Sequence, residues 1–205
     1  MPRLRFAHLF LVASVAFAGC DSDGDNLLGE FRADISVDGR AQDDGDDEAG
    51  IRGEAVYTVV QTARGPEFVL GLYVGDLFDT DYDELDFILF RREGGVPTVD
   101  GYAINDEASG PDVVSATYAS VEEADDPLEA RGPVVRGTDG TLAITNVDPY
   151  GFVAGSFRFD ATGLRLPTRR AIAAELDGAF EARYETPDLL FNRGISVVID
   201  LDDIF

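Results

Sequence analysis

Phe31, Ala33, Ile35 and Val37 alternate with Arg32, Asp34 and Ser36. That two-residue period is the mark of a strand with one face buried. Asp38-Gly39 ends the run with a pair that suits a tight turn. An acidic loop follows from Asp43 to Glu48 around Gly45. Residues 54–61 and 67–74 are β-branched and aromatic runs, and Gly65-Pro66 between them marks a hairpin connection. Phe68, Leu70, Leu72 and Val74 share one face of the second run. Gly71 lies on the other face and permits a bulge or a close approach.

The same pattern recurs downstream. Residues 85–92 read as a strand with Gly94-Gly95 beyond it, and 98–104 and 113–121 read as weaker strands. Leu142 and Ile144 form a short strand after the Asp139-Gly140 turn pair. Val153, Phe157 and Phe159 alternate with Ser156, Arg158 and Asp160. From Arg169 to Tyr184 two readings compete. The first half suits a short helix capped at Gly178. Yet Ile172, Ala174, Leu176, Gly178, Phe180, Ala182 and Tyr184 keep a two-residue period, which predicts one long bent strand with a bulge at Asp177-Gly178. A last strand is expected from Ile195 to Ile199, and a mobile loop at 122–129. The sum is an all-β chain, an antiparallel β-sandwich or barrel of roughly nine or ten short strands. Residues 29–205 read as a single domain without repeat or linker.

The N-terminus follows a different logic. Residues 1–5 are short and positive, Phe6 to Ala18 are mostly apolar, and small residues close the stretch. That order is a signal peptide over 1–19. The apolar run is shorter than the ~20 residues a spanning helix needs. Ala18-Gly19-Cys20 resembles the lipobox of bacterial lipoproteins. The resemblance implies cleavage between Gly19 and Cys20 and diacylglyceryl transfer to the Cys20 thiol. Residues 20–28 then form an acidic tether. Asp21-Ser22-Asp23-Gly24-Asp25 has the opening of a calcium loop, but no spaced Glu completes it, and a solvated spacer is the better reading. The expected location is extracytoplasmic, lipid-anchored to a bacterial membrane, with the outer membrane or cell surface favoured over the inner membrane.

Charge narrows the partners. Sixteen basic residues, all arginine, face 40 acids among 205 residues, for a net charge of −24. Cleavage before Cys20 would remove Arg3 and Arg5 and leave 14 − 40 = −26. That field repels nucleic acid, so no nucleic-acid partner is expected, and the membrane is met through the lipid anchor alone. Asp outnumbers Glu by 27 to 13 and lysine is absent, a composition that resembles proteins of extreme halophiles. Molar salt shortens the Debye length to ~3 Å and removes most of the repulsion.

Beyond residue 20 the chain has no His, Cys or Lys. Ser-His-Asp and Cys-His catalysis, Schiff-base chemistry and His/Cys zinc sites therefore have no residues to work with. Carboxylate chemistry survives, and a carboxylate-dependent glycan hydrolase is the enzymatic alternative. Sugar sites usually also use aromatic platforms, and the chain has no Trp. A non-enzyme without cofactors is expected. One candidate cation site remains: Asp79, Asp81, Asp83 and Glu84, alternating acids between two strands, suit the hard oxygen shell of calcium. A solvated acidic loop is the competing reading. An EF-hand is excluded, because the sixth position is Glu84 and the twelfth is Phe90.

The segments Gly140-Thr-Leu-Ala-Ile-Thr-Asn, Val153-Ala-Gly-Ser-Phe-Arg-Phe-Asp-Ala and Leu176-Asp-Gly-Ala-Phe-Glu-Ala-Arg-Tyr resemble small uncharacterised bacterial lipoproteins with a β-sandwich domain. The resemblance covers about half the chain and implies a fold but no activity. The expectation is a lipid-anchored cell-envelope protein, a non-catalytic binding or structural module adapted to high salt. A calcium-stabilised surface protein is the third reading.

Overall fold

The computed structural model describes residues 29–42, 50–74, 84–106, 108, 110–122 and 131–186. Ten strands run in chain order: β1 (Gly29–Val37), β2 (Arg40–Gln42), β3 (Ile51–Thr62), β4 (Gly65–Val74), β5 (Glu84–Glu93), β6 (Asp100–Ile104), β7 (Val113–Glu122), β8 (Gly132–Asp148), β9 (Phe152–Leu166) and β10 (Arg170–Tyr184). All belong to one sheet. Antiparallel neighbours follow one another from β1 through β3, β4, β5, β7, β8 and β9 to β10. β10 then pairs antiparallel with β1, so the sheet closes into a ring. The all-β expectation holds, in the form of a single sheet that meets its own edge. Closure leaves no long exposed edge on the eight ring strands.

The two remaining strands are local additions. β2 folds back on β1 through Asp38 (φ 52°) and Gly39 (φ 72°), with Val37 opposite Arg40. Two successive left-handed residues match the right-handed twist of a hairpin. β6 lies beside β8 and, in parallel, beside the start of β7. A second parallel contact brings Arg183 and Tyr184 beside Val56 and Tyr57, just before β1 begins.

The alternation read from sequence becomes an inside and an outside. Phe31, Ala33, Ile35 and Val37 point inward, as do Phe68, Leu70 and Leu72. Phe90, Phe157 and Phe159 pack together in the interior, with ring centroids 5.2, 5.8 and 6.0 Å apart. Such tilted ring packing adds to simple burial.

Three details differ from the sequence reading. The β3–β4 turn is Ala63-Arg64, and Gly65 and Pro66 already pair with Thr62 and Gln61. Asp139-Gly140 is no turn between strands: it lies inside the 17-residue β8, where the register shifts between Gly137 and Asp139 and again between Ile144 and Asn146. Bulges let a long strand bend round the ring. Conversely, the register of β10 with β9 runs unbroken through Asp177 and Gly178. A Cβ on Gly178 would lie 2.5 Å from Phe157 Cζ and 2.6 Å from the Arg32 carbonyl oxygen. Glycine is required there for space, and the expected bulge is absent. The final strand expected at 195–199, the loop at 122–129 (apart from Glu122) and the acidic loop from Asp43 to Glu48 lie outside the described residues.

The strands define two ends. β1 enters and β10 leaves at one end, together with the 63–64 turn and the 94–112 connection. The strand ends joined by 43–49, 75–83 and 123–130 lie at the other.

Candidate functional site

Of the residues picked from sequence, Gly19, Cys20, Asp79, Asp81 and Asp83 lie outside the described residues. Glu84 opens β5, where the register sets it opposite Glu122. Among the described residues, no group of three or more His, Cys, Asp or Glu side chains is placed to hold a metal. No helix among them is long and apolar enough to cross a membrane.

The outer surface divides into two sectors. On β1, β9, β10 and the middle of β8 the charged side chains lie on the outward positions, interspersed with alanines; Val134, near the start of β8, is outward and buried beside Ala119. Acid stands directly opposite acid at Glu30/Glu54, Glu30/Glu181, Asp34/Asp177, Asp160/Glu175 and Asp139/Asp160. Arg158 opposite Asp177 is of opposite sign. Facing side chains of this kind sit ~5 Å apart at Cβ, and like charges there oppose the pairing. An open groove of about 610 Å³ runs over this sector, lined by Asp34, Ser36, Arg158, Asp160, Glu175 and Asp177. These carboxylates stand side by side on an exposed sheet face. Glycoside hydrolysis instead uses two carboxyl groups flanking one scissile bond. The groove's chemistry is attraction of cations from solution.

The second sector, on β3, β4, β5 and β7, is apolar outside as well as inside. Val56, Thr58, Val69, Tyr73, Phe87, Leu89 and Ala119 face away from the core and are all buried. The Tyr73 ring lies over Gly71, where a Cβ would come 2.5 Å from Cε2. Burial pushes the Tyr73 phenol well above its usual ionisation range. The sequence signal was present in the unbroken apolar runs 68–73 and 87–90, which differ from the clean alternation of 31–37.

At the end where the chain enters, arginines gather in an otherwise acidic molecule. Arg91 donates from Nε to Glu67 Oε1 at 2.6 Å and from Nη2 to Oε2 at 3.3 Å. Arg92 stacks its guanidinium 4.7 Å above the Tyr102 ring. It also donates to the carbonyls of Pro111 (2.6 Å) and Gly95 (3.2 Å). Tyr102 Oη in turn accepts from Thr98 N–H and donates to the Thr98 carbonyl, both at 3.0 Å. The cluster lines a cavity of about 710 Å³ with Arg64, Glu93 and Asp106. Arg92 holds the 94–112 connection against the ring, while Arg91 ties β5 to β4 and Arg64 pairs with Glu93. Sequence reading missed this cluster, because its partners are up to 24 residues apart.

At the opposite end, Asp38 accepts from Ala173 N–H at 3.2 Å and pairs with Arg170. The backbone hydrogen bond from Ala173, then Arg170, holds its carboxyl below the usual carboxylate range.

No family model matches the chain, and neither a curated protein nor a solved structure matches it.

Proposed function

We propose that this chain is a lipid-anchored protein of the bacterial cell envelope, a non-catalytic binding or structural module adapted to high salt. The observation that carries the reading is Ala18-Gly19-Cys20 at the end of an apolar leader, with the chain's sole cysteine at the acceptor position. Cleavage before Cys20 and acylation would place residues 29–205 outside the cytoplasm as one domain on an acidic tether. Two or three acyl chains on one residue give stable anchoring, since each buried CH₂ contributes ~0.8 kcal/mol.

Two features support a module that works from its surface. The described interior is filled by aromatic and aliphatic side chains, which leaves outer faces and connections for contact with partners. The acid-on-acid register of β1, β9 and β10 favours a concentrated electrolyte, in which such facing charges are screened. The calcium-stabilised reading rests on Asp79, Asp81, Asp83 and Glu84.

Expression of wild type and Cys20→Ala in a bacterial host, followed by membrane fractionation and acyl labelling, tests the anchor. Wild type is expected in the membrane fraction with label. Cys20→Ala is expected unlabelled and either released or retained as the uncleaved precursor. Unchanged fractionation and labelling of Cys20→Ala would overturn the proposal.

A further inference from the structure

Four large apolar side chains among the described residues stand open to solvent: Val96 (45% exposed), Val99 (61%), Tyr150 (88%) and Tyr184 (47%). Single exposed apolar residues are ordinary on a protein surface. These four, however, share one end of the ring. Tyr150 is at the tip of the β8–β9 turn, and Tyr184 N–H donates to the Gly151 carbonyl of that turn at 2.8 Å. Val96 and Val99 lie between β5 and β6, just past Gly94, whose N–H donates to the Pro66 carbonyl at 2.8 Å. This is the end at which β1 enters.

The backbone at these tips is already paired. Tyr150 N–H donates to Asp148 Oδ1 at 2.6 Å, and Gly151 N–H to the Asp148 carbonyl at 3.2 Å. Near Val96 and Val99, the Thr98 N–H and carbonyl both bond to Tyr102 Oη, and the Gly95 carbonyl accepts from Arg92. Backbone groups paired within the protein lose little when water is withdrawn from them. Arg64 stands at this end together with Asp148 and Glu185, so the end offers apolar area rather than net charge. Its distance from the anchor is bounded too. Gly29 is buried at the start of β1 and lies nine residues along from Cys20. Full extension joins the two by ~30 Å at most.

Resting on the lipid anchor proposed at Cys20, we infer that Val96, Val99, Tyr150 and Tyr184 seat in the headgroup region of the bilayer, so that the domain stands on the membrane by this end. Tyrosine suits that depth, with an apolar ring and a hydroxyl that stays wet. Apolar contact of this kind persists in concentrated salt, where attraction between charges is screened.

The chain has no Trp, so a single introduced tryptophan reports alone. Tyr150→Trp, Val99→Trp and, in the β9–β10 turn at the opposite end, Thr168→Trp replace exposed side chains. Each full-length variant is purified from host membranes and reconstituted in phosphatidylcholine vesicles with and without brominated acyl chains. At a depth of ~5–10 Å, Tyr150→Trp and Val99→Trp are expected to lose about half their emission or more to the brominated lipid, at low and molar KCl alike, and Thr168→Trp none. Quenching at neither, at one of the two alone, or equally at all three overturns the inference. Acyl labelling is read from the same samples. A chain without label refutes the anchor at Cys20 and this inference with it, whereas a labelled chain left unquenched refutes the contact alone.

Discussion

Gly178 offers the sharpest test of the interior. Adding one methyl there in Gly178→Ala brings a carbon to 2.5 Å from Phe157 Cζ and 2.6 Å from the Arg32 carbonyl oxygen. Non-bonded carbons rest at about 3.5–4.0 Å. Phe157 would therefore have to retreat by about 1 Å. It has little room to do so, because its ring already packs 5.2 Å from Phe90 and 6.0 Å from Phe159. The Arg32 oxygen belongs to β1, which is paired with β10 along eight residues, so it yields less than a side chain. Overpacking of this kind costs ~1–3 kcal/mol, and a backbone obstacle places Gly178→Ala in the upper half, ~2–3 kcal/mol. For a domain of this size that lowers the melting temperature by about 5–10 °C. Urea unfolding in a high-salt buffer measures it directly. Gly95→Ala is the control: its added carbon meets nothing within 4 Å, and the expected change is under ~0.5 kcal/mol. Phe157→Leu should partly relieve the clash, with a coupling of ~1 kcal/mol in the double variant. A loss below ~0.5 kcal/mol for Gly178→Ala, or strict additivity with Phe157→Leu, would refute the packing argument.

Three further outcomes are expected. Melting temperature should rise by about 5 °C or more between 0.1 M and molar KCl, since unit charges ~6 Å apart in water repel by ~0.7 kcal/mol and a ~3 Å Debye length removes most of that; a flat or falling series contradicts adaptation to salt. Calcium added at constant KCl should raise melting further only under the calcium-stabilised reading, and no shift retires it. Asp38 has a lowered carboxyl pKa, so its contribution is present above the ordinary carboxylate value and is lost as pH falls below that value toward the lowered one. Asp38→Asn should therefore weaken stability at pH 7 and flatten its decline below about pH 4, while keeping the left-handed turn that Asp38→Ala strains. An unaltered pH profile for Asp38→Asn would remove Asp38 from the account.

Local periodicity made the inward faces of β1, β4, β9 and β10 legible, because alternate burial is a property of one strand. The competing helix in 169–184 gave way for the same reason: Ile172, Ala174, Leu176, Phe180 and Ala182 bury on even positions only if the chain is extended. The extent of β8 was hidden, since Asp139-Gly140 has turn chemistry that a bulge shares. Pairing is non-local and stayed out of reach. Nothing in the sequence around Glu30 indicates that Glu54 and Glu181 flank it. Arg91 and Glu67 meet only because β4 and β5 are neighbours. The lipid attachment expected at Cys20 rests on a linear motif, and it lies outside the described residues together with Asp79, Asp81 and Asp83.

The up-and-down path of the ring also sorts charge along its axis. The three connections opposite the chain's entry, 43–49, 75–83 and 123–130, hold thirteen acids and no arginine. Arg64, Arg91 and Arg92 line the entry end. Under the proposed anchor at Cys20, the end that carries these acidic connections is the one turned away from the bilayer. At about 0.1 M salt an anionic bilayer would repel that end over a reach of ~10 Å. In molar salt the reach shrinks to ~3 Å, and the charge of the bilayer would cease to bias which end of the domain faces it.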